Sequence, residues 1–328
     1  MRRAGIAALG AYAPAHILSN AALERLVDTT DQWITSRTGI KERRIAASDE
    51  ASSDLAVQAV RDLARRFPQF DPGALDLILC ATATPDTLFP ATASLVQHRV
   101  SATRAAACDI GAGCTGFVYA LALASGMVQA GSAQQVLVLG AETLSRIVDW
   151  QDRATCVLFG DGAGAALVAP VERGGFLSFV LGSDGSGASD LCLPAGGSRQ
   201  PASPHTLQER LHYLRMNGRE VFKFAVPALE QSTRQALSHA GLALPDLDLL
   251  VPHQANVRIL QAAADRLGLP MERVVVNVER YGNTSSASIP LALVEALDQG
   301  RLKSGQRAVL AGFGAGLTWG AALVEWSW

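Results

Sequence analysis

The chain has five cysteines in 328 residues, Cys80, Cys108, Cys114, Cys156 and Cys192, and none forms a CxxC pair or joins histidines at zinc-ligand spacing. An odd, irregular set excludes a disulfide framework and a structural zinc site, and implies reduced thiols in a cytoplasmic protein. Charge of one sign is equally scarce. With 28 Lys and Arg against 30 Asp and Glu, the formal net charge is -2, which gives no general attraction to nucleic acid or to an anionic membrane. No dinucleotide fingerprint occurs, so neither a redox cofactor nor a metal is expected. The opening MRRAGIAALGAYAP has its apolar run broken by Gly and Pro, short of a signal peptide. The longest apolar run, Phe117 to Val128, is shorter than the roughly 20 residues a membrane span needs. It reads as a core helix, and an uncharged helix has to be covered all round by protein, as in the middle of a multi-layer α/β architecture.

What is present is a large apolar fraction, 49% hydrophobic against 18% charged, which suits two domains or one double-sized fold. Short β-rich runs alternate with helical patterns, from LDLILCATAT through QQVLVLGAE to ATCVLFGDGAGAALV. Their continuous apolarity predicts strands covered on both faces, as in an internal and largely parallel sheet. The second half repeats the order: GDGAGAALV matches GFGAGLTWGAALV, and LDLILCATATPD matches LDLLVPHQAN. A period of half the chain is a duplication, and it divides the sequence into halves 1–172 and 173–328. The Pro- and Ser-rich stretch Ala195 to Gly218 breaks the rhythm and reads as a surface excursion or a lid.

The duplication places Cys114, five residues past Asp109, and Asn283, six past Asn277, at equivalent turns before long apolar helices. His253 follows the LDLLVP strand and joins them. A cysteine at the first turn of a buried helix faces unpaired N–H groups and the positive helix end, which favour the thiolate and lower its pKa. The remaining cysteines in strand-like runs, Cys80, Cys108 and Cys156, read as core residues.

With these residues in place, the sequence resembles the thiolase superfamily, and more closely the β-ketoacyl-acyl carrier protein synthase III enzymes. The resemblance covers nearly the whole chain through TTDQWITSRTGIKERR, CTGFVYAL, DRATCVLFGDGAGAALV, MNGREVFKFAV, VPHQANVRI, YGNTSSASIPLAL and GFGAGLTWG. It implies a duplicated α/β fold layered α-β-α-β-α with pseudo-twofold halves, and a Cys114, His253, Asn283 triad. A thiolate would attack the thioester of a short acyl-CoA, and the acyl-enzyme would stay a reactive thioester. Malonyl-acyl carrier protein would then lose CO2, with His253 and Asn283 donating hydrogen bonds to the enolate oxygen and the N–H groups of Cys114 and Ala315 forming the oxyanion hole.

The same resemblance implies that Trp33, Arg37 and Arg153 hold the adenine and phosphates of CoA, and that Met216, Gly218, Phe222 and Asn256 line the pantetheine tunnel. Phe89 would lie near the acyl pocket across a homodimer interface, and Lys223, Gln254 and Arg258 would receive the acidic carrier protein. Two departures from the family pattern stand out, Gly113 before the nucleophile and Ala315 between two glycines of the last turn. Within the fold, the alternatives are a starter-selecting ketosynthase or acyltransferase of secondary metabolism. Outside that activity, a non-catalytic partner subunit would be expected to lack Cys114, and a papain-like Cys-His-Asn hydrolase does not fit the duplicated α/β pattern.

Overall fold

The computed structural model describes residues 2–328 and contains two mixed sheets of matching topology. In the first, the strands run Ala4–Tyr12, Gly162–Pro170, Val136–Glu142, Leu77–Ala81, Ala106–Ile110 from edge to edge. Successive pairs are antiparallel, antiparallel, parallel and parallel. The second sheet runs Gly175–Ser183, Thr318–Glu325, Arg307–Gly314, Leu249–Pro252, with pairs antiparallel, antiparallel and parallel. A parallel bridge from Leu250 to Val274 stands where the fifth strand would be. The internal repeat read in the sequence is thus a repeat of strand order and direction. The expectation of largely parallel sheets is corrected, because continuous apolarity reports that both faces are covered and carries no information on strand direction.

The faces are covered by helices in three layers. Helices Gly116–Ala130 and Ser288–Asp298 lie between the sheets, and their Phe117, Leu121, Ile289 and Leu293 share one core with strand residues of both. Full burial of each such side chain contributes about 1.5–3 kcal/mol. Ser52–Arg66 and Thr92–Arg99 cover the outer face of the first sheet. Gly218–His239 and Val257–Leu267 cover that of the second. The result is the α-β-α-β-α layering. Helix Gly116–Ala130 forms because no charge or proline interrupts it, and Gly131 ends it in the left-handed conformation at φ 77°. Its cover is incomplete, a correction to the expected all-round burial: Leu123 is 49% exposed on one side.

The excursion after Ala195 is tied down at its base. Leu191–Cys192 pairs antiparallel with Arg215–Met216, and a short helix, Pro204–Gln208, is capped by the Ser203 hydroxyl.

Candidate active site

Cys114 sits in a single 3-10 turn, Gly113–Thr115, between strand Ala106–Ile110 and helix Gly116–Ala130. The glycine before it adopts φ +50°, a left-handed conformation that other residues resist, so the first departure from the family pattern fits the backbone turn it occupies. The turn is pinned to the other half of the molecule. The Thr318 hydroxyl lies 3.1 Å from the Ala112 carbonyl, 3.0 Å from that of Ala315 and 3.0 Å from the Thr115 hydroxyl.

His253 follows strand Leu249–Pro252, and its backbone N–H continues the ladder to the Ala311 carbonyl at 2.8 Å. The ring packs edge-on to Phe313 at 5.1 Å between centroids, and its Nδ1 lies 2.7 Å from the Ser288 hydroxyl. Asn283 is held by the first half: its N–H donates to the Leu158 carbonyl at 2.8 Å and its carbonyl accepts from Gly160 at 3.0 Å. Its Oδ1 accepts the Ser285 N–H at 2.9 Å. A backbone N–H can only donate, so this bond fixes the amide and leaves the two Nδ2 hydrogens for a ligand.

All three side chains line one cavity of ≈130 Å³, together with Met216, Gly218, Phe222 and Asn256. A second, outer cavity of ≈530 Å³ shares Gly218, Phe222 and Asn256 with it and is lined by Arg37, Lys223 and Arg258. A small apolar chamber therefore opens into a cationic vestibule. Asn256 joins the vestibule walls, donating from Nδ2 to the Arg37 carbonyl at 3.1 Å. Nearby, the guanidinium carbons of Arg153 and Arg37 lie 5.1 and 5.3 Å from the Trp33 ring centre, a cation–aromatic platform.

One expected residue, Gln254, is placed differently. Gln254 is 1% exposed, with Nε2 donating to the carbonyls of Pro252 and Val275 and Oε1 accepting from Asn277 N, each at 2.9 Å. Buried and fully engaged, it has no surface with which to dock a partner, and that assignment is corrected. Phe89 is 86% exposed and lines neither cavity of this chain. Gly314, next to Ala315, faces the chamber beside Cys114.

The electrostatics also differ from the expected ionised sulfur. Burial pushes the Cys114 thiol up to about 12, outweighing the Ser285 hydroxyl and the turn's own N–H, which lower it. Burial pushes His253 down to about 3. Burial thus favours the neutral thiol and the neutral imidazole. The sequence argument weighed the helix start and omitted desolvation, which is the larger effect once both halves close over the sulfur. One carboxylate lies behind the site and was not anticipated: Glu142, fully buried, accepts from Ala83 N–H at 3.0 Å, the Thr84 hydroxyl at 2.7 Å and the Ser286 hydroxyl at 2.8 Å. Its only signal was an acid ending the otherwise apolar strand VLVLGAE.

Comparison with known proteins places this geometry. Residues 108–185 match the family described as 3-oxoacyl-[acyl-carrier-protein] synthase III, and residues 237–326 match its C-terminal part. A β-ketoacyl-[acyl-carrier-protein] synthase III of Symbiobacterium thermophilum is 55% identical over 99% of both chains. The crystal structure of the corresponding Thermus thermophilus protein, 55% identical, superposes with a TM-score of 0.91 over 98% of this chain and 99% of that one. A priming β-ketosynthase from the R1128 polyketide pathway is 37% identical with a TM-score of 0.91, covering 99% of this chain and 97% of that one. Identity at this level over the whole length, with the Cys114, His253 and Asn283 chamber intact, means that the chain belongs to the β-ketoacyl-[acyl-carrier-protein] synthase III family.

Proposed function

We propose that this chain performs the initiating condensation of fatty-acid synthesis, joining a short acyl-CoA to malonyl-acyl carrier protein to give 3-oxoacyl-acyl carrier protein, CoA and CO2. The observation that carries the reading is the shared chamber. Cys114 from residues 1–172 meets His253 and Asn283 from residues 173–328 at the inner end of a pocket with a cationic mouth.

In the first half-reaction Cys114 Sγ attacks the acyl-CoA carbonyl, CoA leaves with the proton, and an acyl thioester remains on the enzyme. Backbone N–H groups of Cys114 and Ala315 would hold the tetrahedral oxyanion. In the second, the malonyl group loses CO2 while Asn283 Nδ2 and His253 hold the enolate oxygen, and the enolate carbon attacks the acyl-cysteine. One such donor is typically worth about 3–4 kcal/mol of barrier. The sequence of bonds made and broken needs no cofactor.

Trp33, Arg37 and Arg153 form a platform suited to a planar base and its phosphates. Met216, Gly218, Phe222 and Asn256 would line the pantetheine tunnel: all four share the chamber with Cys114, and the last three also share the vestibule with Arg37. Lys223 and Arg258 suit a transient electrostatic encounter with an acidic carrier protein. The exposed Phe89 would complete the acyl pocket of a second copy in a homodimer, acting in the cytoplasm. The test is formation of a 3-oxoacyl product from acetyl-CoA and malonyl-carrier protein. Turnover only with alkylmalonyl-carrier protein or hydroxyl acceptors would instead support a secondary-metabolic role, the second reading that the similarity to a polyketide priming enzyme favours.

A further inference from the structure

Glu142 ends the strand Val136–Glu142 and is fully buried, yet it lines neither the chamber nor the vestibule. Its two oxygens join segments from both halves of the chain. One accepts the Thr84 hydroxyl at 2.7 Å and the Ala83 N–H at 3.0 Å. The other lies 2.8 Å from the Ser286 hydroxyl, which also stands 2.8 Å from the Ala81 carbonyl. Ser286 is thereby tied to the ends of two neighbouring strands of the first sheet. It belongs to the single 3-10 turn Ser285–Ala287, which follows Asn283 and Thr284. The turn rests on the strand itself: a Cβ placed on Gly140 would sit 2.4 Å from the Ser286 carbonyl oxygen. Ser285 is left-handed at φ +48°, a conformation that a side chain resists and that persists only where the surrounding contacts impose it. In that conformation its N–H meets Asn283 Oδ1 at 2.9 Å. A released turn would relax and withdraw this N–H, and an unheld amide is free to turn its oxygen, instead of Nδ2, toward a ligand. We infer that Glu142 is a positioning residue: through the Ser286 hydroxyl it holds the turn that presents Asn283 Nδ2 to the enolate oxygen.

This rests on the condensing reaction proposed above and deepens it. Asn283 serves only the malonyl half-reaction there, so cutting the link from Glu142 costs rate in that half alone. The hold depends on hydrogen bonds and not on charge. An amide in place of the carboxyl keeps an acceptor oxygen for Ala83 and Thr84 and offers a hydrogen to the Ser286 oxygen, whose own hydrogen then goes to the Ala81 carbonyl. An alanine in that place leaves the Ala83, Thr84 and Ser286 donors without their partner.

The test separates the two half-reactions. Glu142→Ala and Ser286→Ala should each slow 3-oxoacyl formation from acetyl-loaded enzyme and malonyl-carrier protein about 10- to 100-fold, part of the roughly 10²–10³-fold that one preorganised donor contributes. KM for malonyl-carrier protein and the rate of S-acylation by acetyl-CoA should stay unchanged, and Glu142→Gln should recover most of the rate lost in Glu142→Ala. Equal losses in both half-reactions, or a condensation rate that Ser286→Ala leaves untouched, would overturn the inference. Where Glu142→Ala does not fold, Ser286→Ala, which removes a single hydroxyl, decides alone. The turn can also be read without turnover. In a crystal structure of Ser286→Ala, Ser285 should leave the left-handed conformation and its N–H should part from Asn283 Oδ1; a turn unchanged from the wild type would overturn the inference whatever the kinetics. Those displacements in an enzyme whose wild type makes no 3-oxoacyl product would refute the condensing reaction and leave the positioning of Asn283 standing.

Discussion

Gly314 lies against Cys114 so closely that a Cβ placed on it would sit 2.9 Å from the cysteine Cβ and 3.2 Å from Sγ. The last turn of the second sheet and the nucleophile turn of the first half thus meet with no side chain between them. Gly314→Ala drives a methyl into that contact. It should lower stability by about 1–3 kcal/mol and slow S-acylation at least about 100-fold, since sub-ångström displacement of a nucleophile is costly. Thermal melting and the rate of acetyl-CoA consumption measure the two effects separately.

The neutral resting state of the site has a signature in pH. A thiol held up to about 12 gains thiolate about tenfold per pH unit through and beyond the ordinary cysteine value near 8.5. Alkylation of Cys114 by iodoacetamide in the ligand-free enzyme should therefore accelerate steadily on raising the pH past that value. A plateau near neutrality would mean an ionised resting sulfur.

The Trp33 platform addresses binding and not chemistry. Trp33→Ala should raise KM for acetyl-CoA about tenfold, the loss expected for a desolvated cation–aromatic and stacking surface of 1–2 kcal/mol. The acylation rate at saturating substrate should stay unchanged. A fall in that rate with KM constant would move Trp33 away from the CoA site.

Charge reversal at the vestibule separates docking from folding. Lys223→Glu and Arg258→Glu should raise KM for malonyl-carrier protein, with an effect that shrinks as salt is added, while leaving acylation by acetyl-CoA intact. Gln254→Ala, which removes three buried hydrogen bonds, should instead destabilise the fold by about 2–4 kcal/mol and leave the salt dependence of carrier-protein KM untouched. Steady-state kinetics over a salt series and urea melts distinguish the variants.

Much of the site was legible because the chain repeats itself. Cys114 and Asn283 both lie just before an inner helix, Gly116–Ala130 and Ser288–Asp298, and a duplicated pattern points to such segments without knowledge of any contact; the turns themselves differ, since Cys114 follows a strand and Asn283 follows the short helix Val278–Tyr281. Met216, Gly218, Phe222 and Asn256 could be carried over from motifs because they lie on short segments whose course is fixed by the elements beside them. Strand direction was not legible, since Gly162–Pro170 and Val136–Glu142 are equally apolar whichever way they run. The protonation of Cys114 was hidden because it depends on how completely residues more than a hundred positions away cover the sulfur. Gln254 shows the limit of motif reasoning: its neighbours His253 and Asn256 line the chamber, but a sequence does not say that the side chain between them turns into the core. Ser288, Thr318 and Glu142 were missed because single small polar or acidic residues in apolar runs look like ordinary helix or strand ends.

The most direct test of the account is peptide-mapped mass spectrometry of the enzyme incubated with acetyl-CoA, followed by malonyl-carrier protein. One acetyl group should appear on the peptide containing Cys114, vanish when malonyl-carrier protein is added, and reappear in the 3-oxoacyl product; Cys114→Ala should take up no acetyl group while still releasing CO2 from malonyl-carrier protein. An enzyme that makes the product without ever carrying acetyl on Cys114, or a Cys114→Ala variant that exchanges acetyl-CoA at the wild-type rate, would contradict the account.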